Sequence, residues 1–159
     1  MKKALIVVLS SLSLSVVSVA AQEREPEFRK GEWQLSPFAT YVDKSGDKWG
    51  VGTALTYFLT KRLGIGAATY WTDFSGTFFD NVEGEAYFRL AQFDRVAPYA
   101  VGSIGYQFDA GYWFETLGAG VDVRVFKKLT AFGDIQYRIA NNSNSQDGIF
   151  LRLGARFSF

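Results

Sequence analysis

The stretch from Ile149 to Phe159, IFLRLGARFSF, alternates between two kinds of side chain along its whole length. Its odd-numbered positions are all apolar, whereas its even-numbered positions carry Phe, Arg, Gly, Arg and Ser. Successive side chains of a β-strand point to opposite faces of the sheet. The segment therefore predicts a strand with one apolar face and one face that carries two arginines.

The same two-residue period recurs along most of the chain after Gly31. It is clear in residues 82–90, 113–126 and 129–139, and residues 32–43, 48–60, 63–74 and 96–108 are compatible with it. The register of residues 96–108 stays open, because both of their alternating sets are apolar. Together with the last segment, these stretches make eight predicted strands.

The connections between the predicted strands differ in length at the two ends. Tight turns at residues 60–62, 92–95 and 127–128 alternate with mostly longer polar loops around 43–47, 75–81, 109–111 and 141–148. This asymmetry, with strands of roughly 11 residues, is typical of antiparallel barrels that span an outer membrane. The predicted fold is all-β, an eight-stranded antiparallel up-and-down transmembrane β-barrel.

The start of the chain has the pattern of an export signal. Residues 1–21, MKKALIVVLSSLSLSVVSVAA, carry two lysines, then an apolar stretch, then small residues up to Ala21. This order predicts a signal peptide for Sec export that is cleaved near Ala21. Residues 22–31 are mostly charged and predict a short, solvated periplasmic tail, so that the barrel domain covers residues 32–159.

The composition excludes several kinds of chemistry. The 159 residues include no Cys and no His, which excludes thiol nucleophiles, imidazole bases and Cys/His zinc sites. Asp43, Ser45 and Asp47 have the spacing of oxygen ligands, but the rest of a calcium site is missing and an ordinary turn is predicted. We expect a protein that is not an enzyme, with no catalytic residues, metal or cofactor. The 17 Lys and Arg residues nearly balance the 16 Asp and Glu residues, so no nucleic-acid partner is expected.

The aromatic residues indicate which face of the barrel points outward. Amphipathic rings concentrate at the two interfaces of a membrane, and the apolar face of a membrane barrel points outward. The rings of the predicted apolar face fall near the two ends of the strands: Trp33, Tyr41, Trp49, Tyr57, Trp71, Tyr106, Trp113 and Tyr137. A soluble lipocalin-like barrel would instead place the arginines outside and enclose the apolar face.

The opposite face carries the charges that a narrow lumen must accommodate. We predict that nine residues form a network there: Glu83, Glu85, Arg89, Asp122, Arg124, Asp134, Arg138, Arg152 and Arg156. Arg138 and Arg156 are expected to share the four acids as counter-ions. Because eight strands leave room for little more than side chains, we expect ion pairs to close the lumen. A narrow channel and a polar small-molecule site are the alternatives.

Several segments resemble small outer-membrane β-barrels of the OmpA/OmpX type. They are WQLSPFATY at residues 33–41, APYAVGSIGYQF at 97–108 and the ending FLRLGARFSF at 150–159, together with the export signal. The resemblance implies a monomer in outer-membrane lipids with a structural or surface role in the cell envelope. It also implies that the barrel-assembly machinery recognises the terminal strand through Leu151, Leu153, Ala155, Phe157 and Phe159.

Overall fold

The computed structural model describes residues 28–43, 48–72, 79–141 and 147–159, which form a closed antiparallel barrel. The predicted signal peptide lies outside the described residues, as do Ser45 and Asp47. Within the described ranges, no helix is long and apolar enough to cross a membrane.

Each strand pairs with the next along the chain, and the last pairs with the first. The strands are β1 (Trp33–Asp43), β2 (Lys48–Phe58), β3 (Leu63–Trp71), β4 (Asn81–Arg89), β5 (Val96–Gln107), β6 (Tyr112–Phe126), β7 (Leu129–Ala140) and β8 (Gly148–Ser158). The predicted fold class is confirmed, and every predicted strand is present with small differences at its ends. The two-residue period was sufficient to predict the strands, because each strand has one face in the lumen and one face outside the barrel.

The two ends of the barrel are named here by their connections. The turn end carries the connections after β2, β4 and β6, and it is where β1 begins and β8 ends. Trp33 and Phe159 exchange backbone hydrogen bonds of 3.2 and 3.0 Å there. The loop end is the opposite rim, where the ends of β5 and β6 meet through Gln107 and Tyr112.

The structure fixes the register of β5, which the sequence leaves open. Tyr99 faces the lumen and is buried, whereas Ile104 on the other set is exposed on the outer face. The Tyr99 hydroxyl donates a 2.8 Å hydrogen bond to Asp134 and accepts one of 3.0 Å from Arg156. Both polar partners of Tyr99 lie in the lumen. The Tyr99 hydroxyl therefore determines which set of β5 faces inward, because both sets carry aliphatic side chains.

Inward-facing glycines make the lumen wide enough for aromatic rings. A Cβ atom added to Gly52 would lie 2.6 Å from the Phe38 ring, and one added to Gly105 would lie 2.3 Å from the Phe114 ring. Each glycine therefore provides the space that a ring from a neighbouring strand fills. This pairing of small and large residues lets eight strands enclose a filled interior.

Candidate functional site in the barrel lumen

All nine charged residues predicted for the lumen point inward. Each is at most 6% exposed. The soluble lipocalin-like alternative requires outward-facing arginines, and it is wrong because Arg124, Arg138, Arg152 and Arg156 are all buried. The outer face instead exposes large apolar side chains, among them Leu117 and Leu153.

A central cluster joins one arginine to three acids. The Arg152 Nε atom donates a 2.9 Å hydrogen bond to Asp134, and its Nη1 atom lies 3.4 Å from a Glu83 oxygen and also donates to Glu85. In a ring of eight strands β4 lies opposite β8, so the Arg152 side chain crosses the lumen to reach both glutamates. The cluster therefore ties three strands together through the interior.

Neutral hydroxyl groups complete the hydrogen bonding of these acids. Tyr87 donates to Glu85, Ser103 to Glu83 and Tyr99 to Asp134, each at 2.8 Å. Buried carboxylates need such donors, because each leaves its hydration shell on folding. Sequence reasoning that considered only charged residues missed all three donors, although their positions on the inward set of β4 and β5 could have indicated them. Among the described residues, no group of three or more acids is arranged to hold a metal ion.

A turn-end cluster contains three arginines and two acids. Arg156 and Arg89 lie 3.0 and 3.4 Å from different oxygens of Asp122. Arg124 forms a 2.8 Å ion pair with Glu32, directly before β1. The expectation that Arg156 shares a predicted acid agrees with its contact to Asp122, whereas Glu32 was assigned to no charge network.

The segment before β1 contributes a buried ring as well as this acid. Phe28 is 1% exposed, with the Arg89 and Arg124 guanidinium carbons 4.1 and 4.3 Å from its ring centre. Burial of Phe28 differs from the solvated tail predicted for residues 22–31. Two arginines provide a cation–π environment for its ring. One phenylalanine in a charged run carries no periodic signal, so its burial could not be predicted from the sequence.

Hydrogen bonds stabilise the charged form of Glu32. Its carboxylate accepts from Gln34 Nε2 at 2.8 Å, from the Arg29 amide at 3.1 Å and from the Ser158 hydroxyl. Burial alone raises the pKa of Glu32, but these donors and Arg124 hold it below the ordinary value of 4.5. Glu32 therefore contributes a negative charge to the turn-end cluster at neutral pH.

The loop end holds its arginine in a different way. The Arg138 guanidinium carbon lies 4.1 Å from the centre of the Phe114 ring and 5.2 Å from that of Phe150, and Arg138 donates a hydrogen bond to the Tyr70 hydroxyl. Arg138 forms no ion pair with a carboxylate in the described part of the chain. The predicted counter-ions Glu83, Glu85, Asp122 and Asp134 thus make no direct ion pair with Arg138, and aromatic rings surround its guanidinium group instead.

Asp80 is a second buried acid that the sequence analysis missed, just before β4 at the loop end. It accepts hydrogen bonds from the Asn81 amide and, at 3.5 Å, from the Thr72 hydroxyl. Burial raises the pKa of Asp80 above the ordinary value of 3.8, and the nearby Asp109 raises it further. The two rims of the lumen thus hold acids whose pKa values are displaced in opposite directions.

The predicted belt and assembly residues lie on the outer face. Rings pair across neighbouring strands, with centres 4.8 Å apart for Trp33–Tyr57, 5.0 Å for Tyr41–Trp49 and 5.2 Å for Tyr106–Trp113. Trp71 and Tyr137 lie on the outward sets of β3 and β7. The outward set of β8 contains Leu151, Leu153, Ala155 and Phe157, and Phe159 follows it.

Glu115, which the sequence analysis assigned to neither face, is exposed on the same outer face between Ile104 and Ile139.

Solved structures with the same architecture include natural and designed barrels. The N-terminal β-barrel domain of Pseudomonas aeruginosa OprF matches with a TM-score of 0.66 and 12% identity, over 82% of this chain and 98% of that one. A de novo designed transmembrane β-barrel matches with a TM-score of 0.61 and 19% identity, over 84% and 100%. Yersinia pestis Ail, an outer membrane protein, matches with a TM-score of 0.53 and 16% identity, over 82% and 100%.

These likenesses concern architecture alone, because the identities are only 12 to 19%. No protein-family model and no curated protein matches the sequence. None of the three structures is described by an enzymatic activity. The chain has the fold of the small eight-stranded outer-membrane β-barrels.

Proposed function

We propose that this protein is a monomeric outer-membrane β-barrel with a structural or surface role in the cell envelope and no enzymatic activity. It is exported with a signal peptide that is cleaved near Ala21, and it meets outer-membrane lipids and the barrel-assembly machinery as partners. The observation that carries the proposal is the inverted polarity of neighbouring residues. Arg152 is 3% exposed inside the barrel, whereas Leu153 is 71% exposed outside it.

Inverted polarity fits a lipid environment for two physical reasons. Exposed apolar area is unfavourable in water by about 25 cal/mol per Å², whereas it is compatible with hydrocarbon. A closed barrel also pairs its strand edges internally, which hydrocarbon requires because it offers no hydrogen-bonding partners. The paired rings on the outer face suit the two interfaces of such a membrane.

The lumen of this barrel is closed by its ion pairs and rings. Support comes from Arg152, whose contacts with Glu83 and Glu85 cross from β8 to the opposite strand β4. Arg138 on β7 likewise reaches Tyr70 on β3, which is also the opposite strand. Side chains that cross the lumen at two levels leave no continuous path of the width of a porin channel.

Membrane fractionation and electrophoresis test the membrane proposal. We expect the protein in the outer-membrane fraction, with a different apparent mass in unheated and boiled samples because a closed strand ladder resists detergent. Leu153→Arg should destabilise the barrel in lipid vesicles by roughly 2 to 4 kcal/mol if Leu153 lies near the bilayer midplane. Ile149→Arg, on the same face of β8 near the loop end, serves as the control and should cost roughly 0 to 1 kcal/mol. Solubility in plain buffer with identical migration would contradict the proposal.

Planar-bilayer recordings test the closed lumen. We expect silence or small, rare openings from the unmodified protein, because crossing side chains fill the interior. Steady currents of porin size would instead support the channel alternative.

The terminal strand is proposed to direct assembly. Phe159→Asp should lower the amount of protein in the outer membrane in vivo, while the barrel refolded in detergent keeps its stability. Normal outer-membrane amounts of this variant would contradict recognition through the C-terminal residue.

A further inference from the structure

The five residues Phe28–Glu32, named here the plug segment, enter the turn end of the lumen without belonging to a strand. Phe28 and Glu32 are buried, whereas Arg29, Lys30 and Gly31 between them are exposed. Two backbone hydrogen bonds attach the segment to the end of β2, from Gly31 N to Phe58 O at 2.8 Å and from Phe58 N to Glu32 O at 3.0 Å. The segment therefore reaches the lumen mainly through two side chains, one aromatic and one acidic.

The ring of Phe28 occupies a place between two guanidinium groups. Arg89 lies between two rings, with its guanidinium carbon 4.1 Å from the centre of Phe28 and 3.6 Å from that of Phe58. Arg124 faces Phe28 at 4.3 Å. Phe58 belongs to the barrel wall, so removing Phe28 uncovers one side of Arg89 and leaves the other side packed.

The carboxylate of Glu32 supplies charge that the barrel wall lacks. Without it, Arg89, Arg124 and Arg156 would face Asp122 as the one lumen-facing carboxylate among the described residues of this cluster. Buried cations without enough counter-charge are costly. The wall at the turn end is thus complementary to an anion that also carries a ring.

Gly31 provides the bend that brings both groups inward. Its φ of +78° lies in the left-handed region, which glycine adopts without the strain that other residues incur. A Cβ atom at this position would meet only the Tyr57 hydroxyl, at 4.0 Å, so a substitution changes the bend and leaves the lumen wall untouched. Docking of the plug segment can therefore be weakened without altering its site.

We propose that the turn end of the lumen is a binding site for an aromatic carboxylate, and that the chain's own Phe28 and Glu32 occupy it as a detachable ligand. Arg89, Arg124 and Phe58 recognise the ring, and Arg124 with Ser158 and Gln34 recognises the carboxylate. The plug segment thereby covers this mouth of the lumen. The site is a property of the folded barrel in any medium, so its test does not depend on cellular location.

Site-resolved modification of arginines by phenylglyoxal tests whether the plug segment shields the site. The folded protein, Phe28→Ala and Gly31→Val are treated in detergent, and modified arginines are identified by mass spectrometry. We expect Arg89 and Arg124 to react roughly tenfold faster in both variants, because each loses a cation–π contact of the docked ring. Arg152, which touches no plug residue, should stay protected and reports that the barrel is intact. Unchanged protection of Arg89 and Arg124 in both variants would overturn the proposal.

A barrel that lacks the Phe28 ring and the Glu32 charge tests the chemical class of the ligand. In the double variant Phe28→Ala, Glu32→Gln, a peptide of residues 25–32, EPEFRKGE, should restore the protection of Arg89 and Arg124. The same peptide with alanine replacing Phe28 should protect them much less, as should propionate when compared with 3-phenylpropionate. Equal protection by the ring-bearing and ring-less probes, or none by either, would overturn the assignment of an aromatic carboxylate site.

Discussion

Arg152 in the central cluster and Arg138 at the loop end are buried to nearly the same degree, 3% and 5%, yet their surroundings are opposite. Three carboxylates surround Arg152, whereas Arg138 lies against aromatic rings and a hydroxyl. The free-energy cost of losing a buried arginine depends on the groups it leaves behind. The two regions should therefore respond differently to the same substitution.

Replacement of the central arginine should have the largest effect. Arg152→Leu leaves Glu83, Glu85 and Asp134 buried without their shared cation, and should lower the free energy of unfolding by roughly 3 to 5 kcal/mol. Urea unfolding in lipid vesicles measures the change, with Arg152→Lys as a control that keeps the charge. A loss below that of Arg138→Leu would break the comparison.

A displaced carboxylate should cost less than a lost arginine. In Gly120→Ala the new Cβ would lie 2.6 Å from the Asp134 Cβ, the Tyr99 ring and the Gly133 carbonyl oxygen, so the contact between Asp134 and Tyr99 must rearrange. We expect a loss of roughly 1 to 3 kcal/mol by the same unfolding measurement. Gly84→Ala is the matched control, because nothing lies within 4 Å of a Cβ atom there. Equal stability of the two variants would indicate that the central cluster tolerates movement.

Replacement of the loop-end arginine should have a modest effect. Arg138→Leu removes cation–π contacts worth roughly 0.5 to 2 kcal/mol in total and leaves no carboxylate without its ion-pair partner in the described part of the chain. Leucine can still pack against Phe114 and Phe150. Unfolding under the conditions used for Arg152→Leu gives the comparison directly, and losses of equal size would show that burial alone sets the cost.

The smallest expected effects are changes of the free energy of unfolding with pH. Glu32 at the turn end and Asp80 at the loop end should contribute with opposite signs. The lowered pKa of Glu32 means that it stabilises the folded state above pH 4.5 and loses this contribution as the pH falls through the lowered value. The raised pKa of Asp80 has the opposite consequence, since its charge costs stability above the raised value and the cost disappears on protonation.

Unfolding at a series of pH values compares each variant with the parent protein. Glu32→Gln should be less stable than the parent at pH 7, and the difference should shrink as the pH falls through the lowered pKa of Glu32. Asp80→Asn should be at least as stable as the parent at pH 7, and its difference from the parent should also shrink in acid. Parallel pH profiles of both variants would contradict the opposite displacement of the two pKa values.

The strands could be predicted from the sequence because the barrel applies one rule to every strand. Alternation placed Arg152 and Leu153 on opposite faces, and the aromatic residues indicated that the face of Leu153 points outward. The partners of each charge could not be predicted, since they depend on which strands lie opposite each other and on side-chain length. Arg138 illustrates this limit, because its rings come from β6 and β8 and no local pattern joins them to it.

Phe28 and Glu32 escaped prediction for a different reason. Their positions depend on a bend at Gly31 and on arginines far along the chain. Neither the bend nor these distant contacts produce a periodic pattern in the sequence. The roles of Tyr87 and Tyr99 could have been predicted, because a tyrosine on a polar inward face needs a hydrogen-bonding partner. The predicted lumen network contained only charged residues and therefore did not include these hydroxyl groups.

The contacts of β8 have a consequence for the order of folding. Arg152 and Arg156 both arrive with this last strand, and Arg152 meets partners that are 18 to 69 residues away along the chain. Such long-range contacts form only after the entropy of closing the chain has been lost. A sheet of β1–β7 would hold the acids of the central cluster without their cation, so the final closing step brings a large electrostatic gain. The barrel should therefore close in one cooperative late step, and separation of β8 should limit the rate of unfolding.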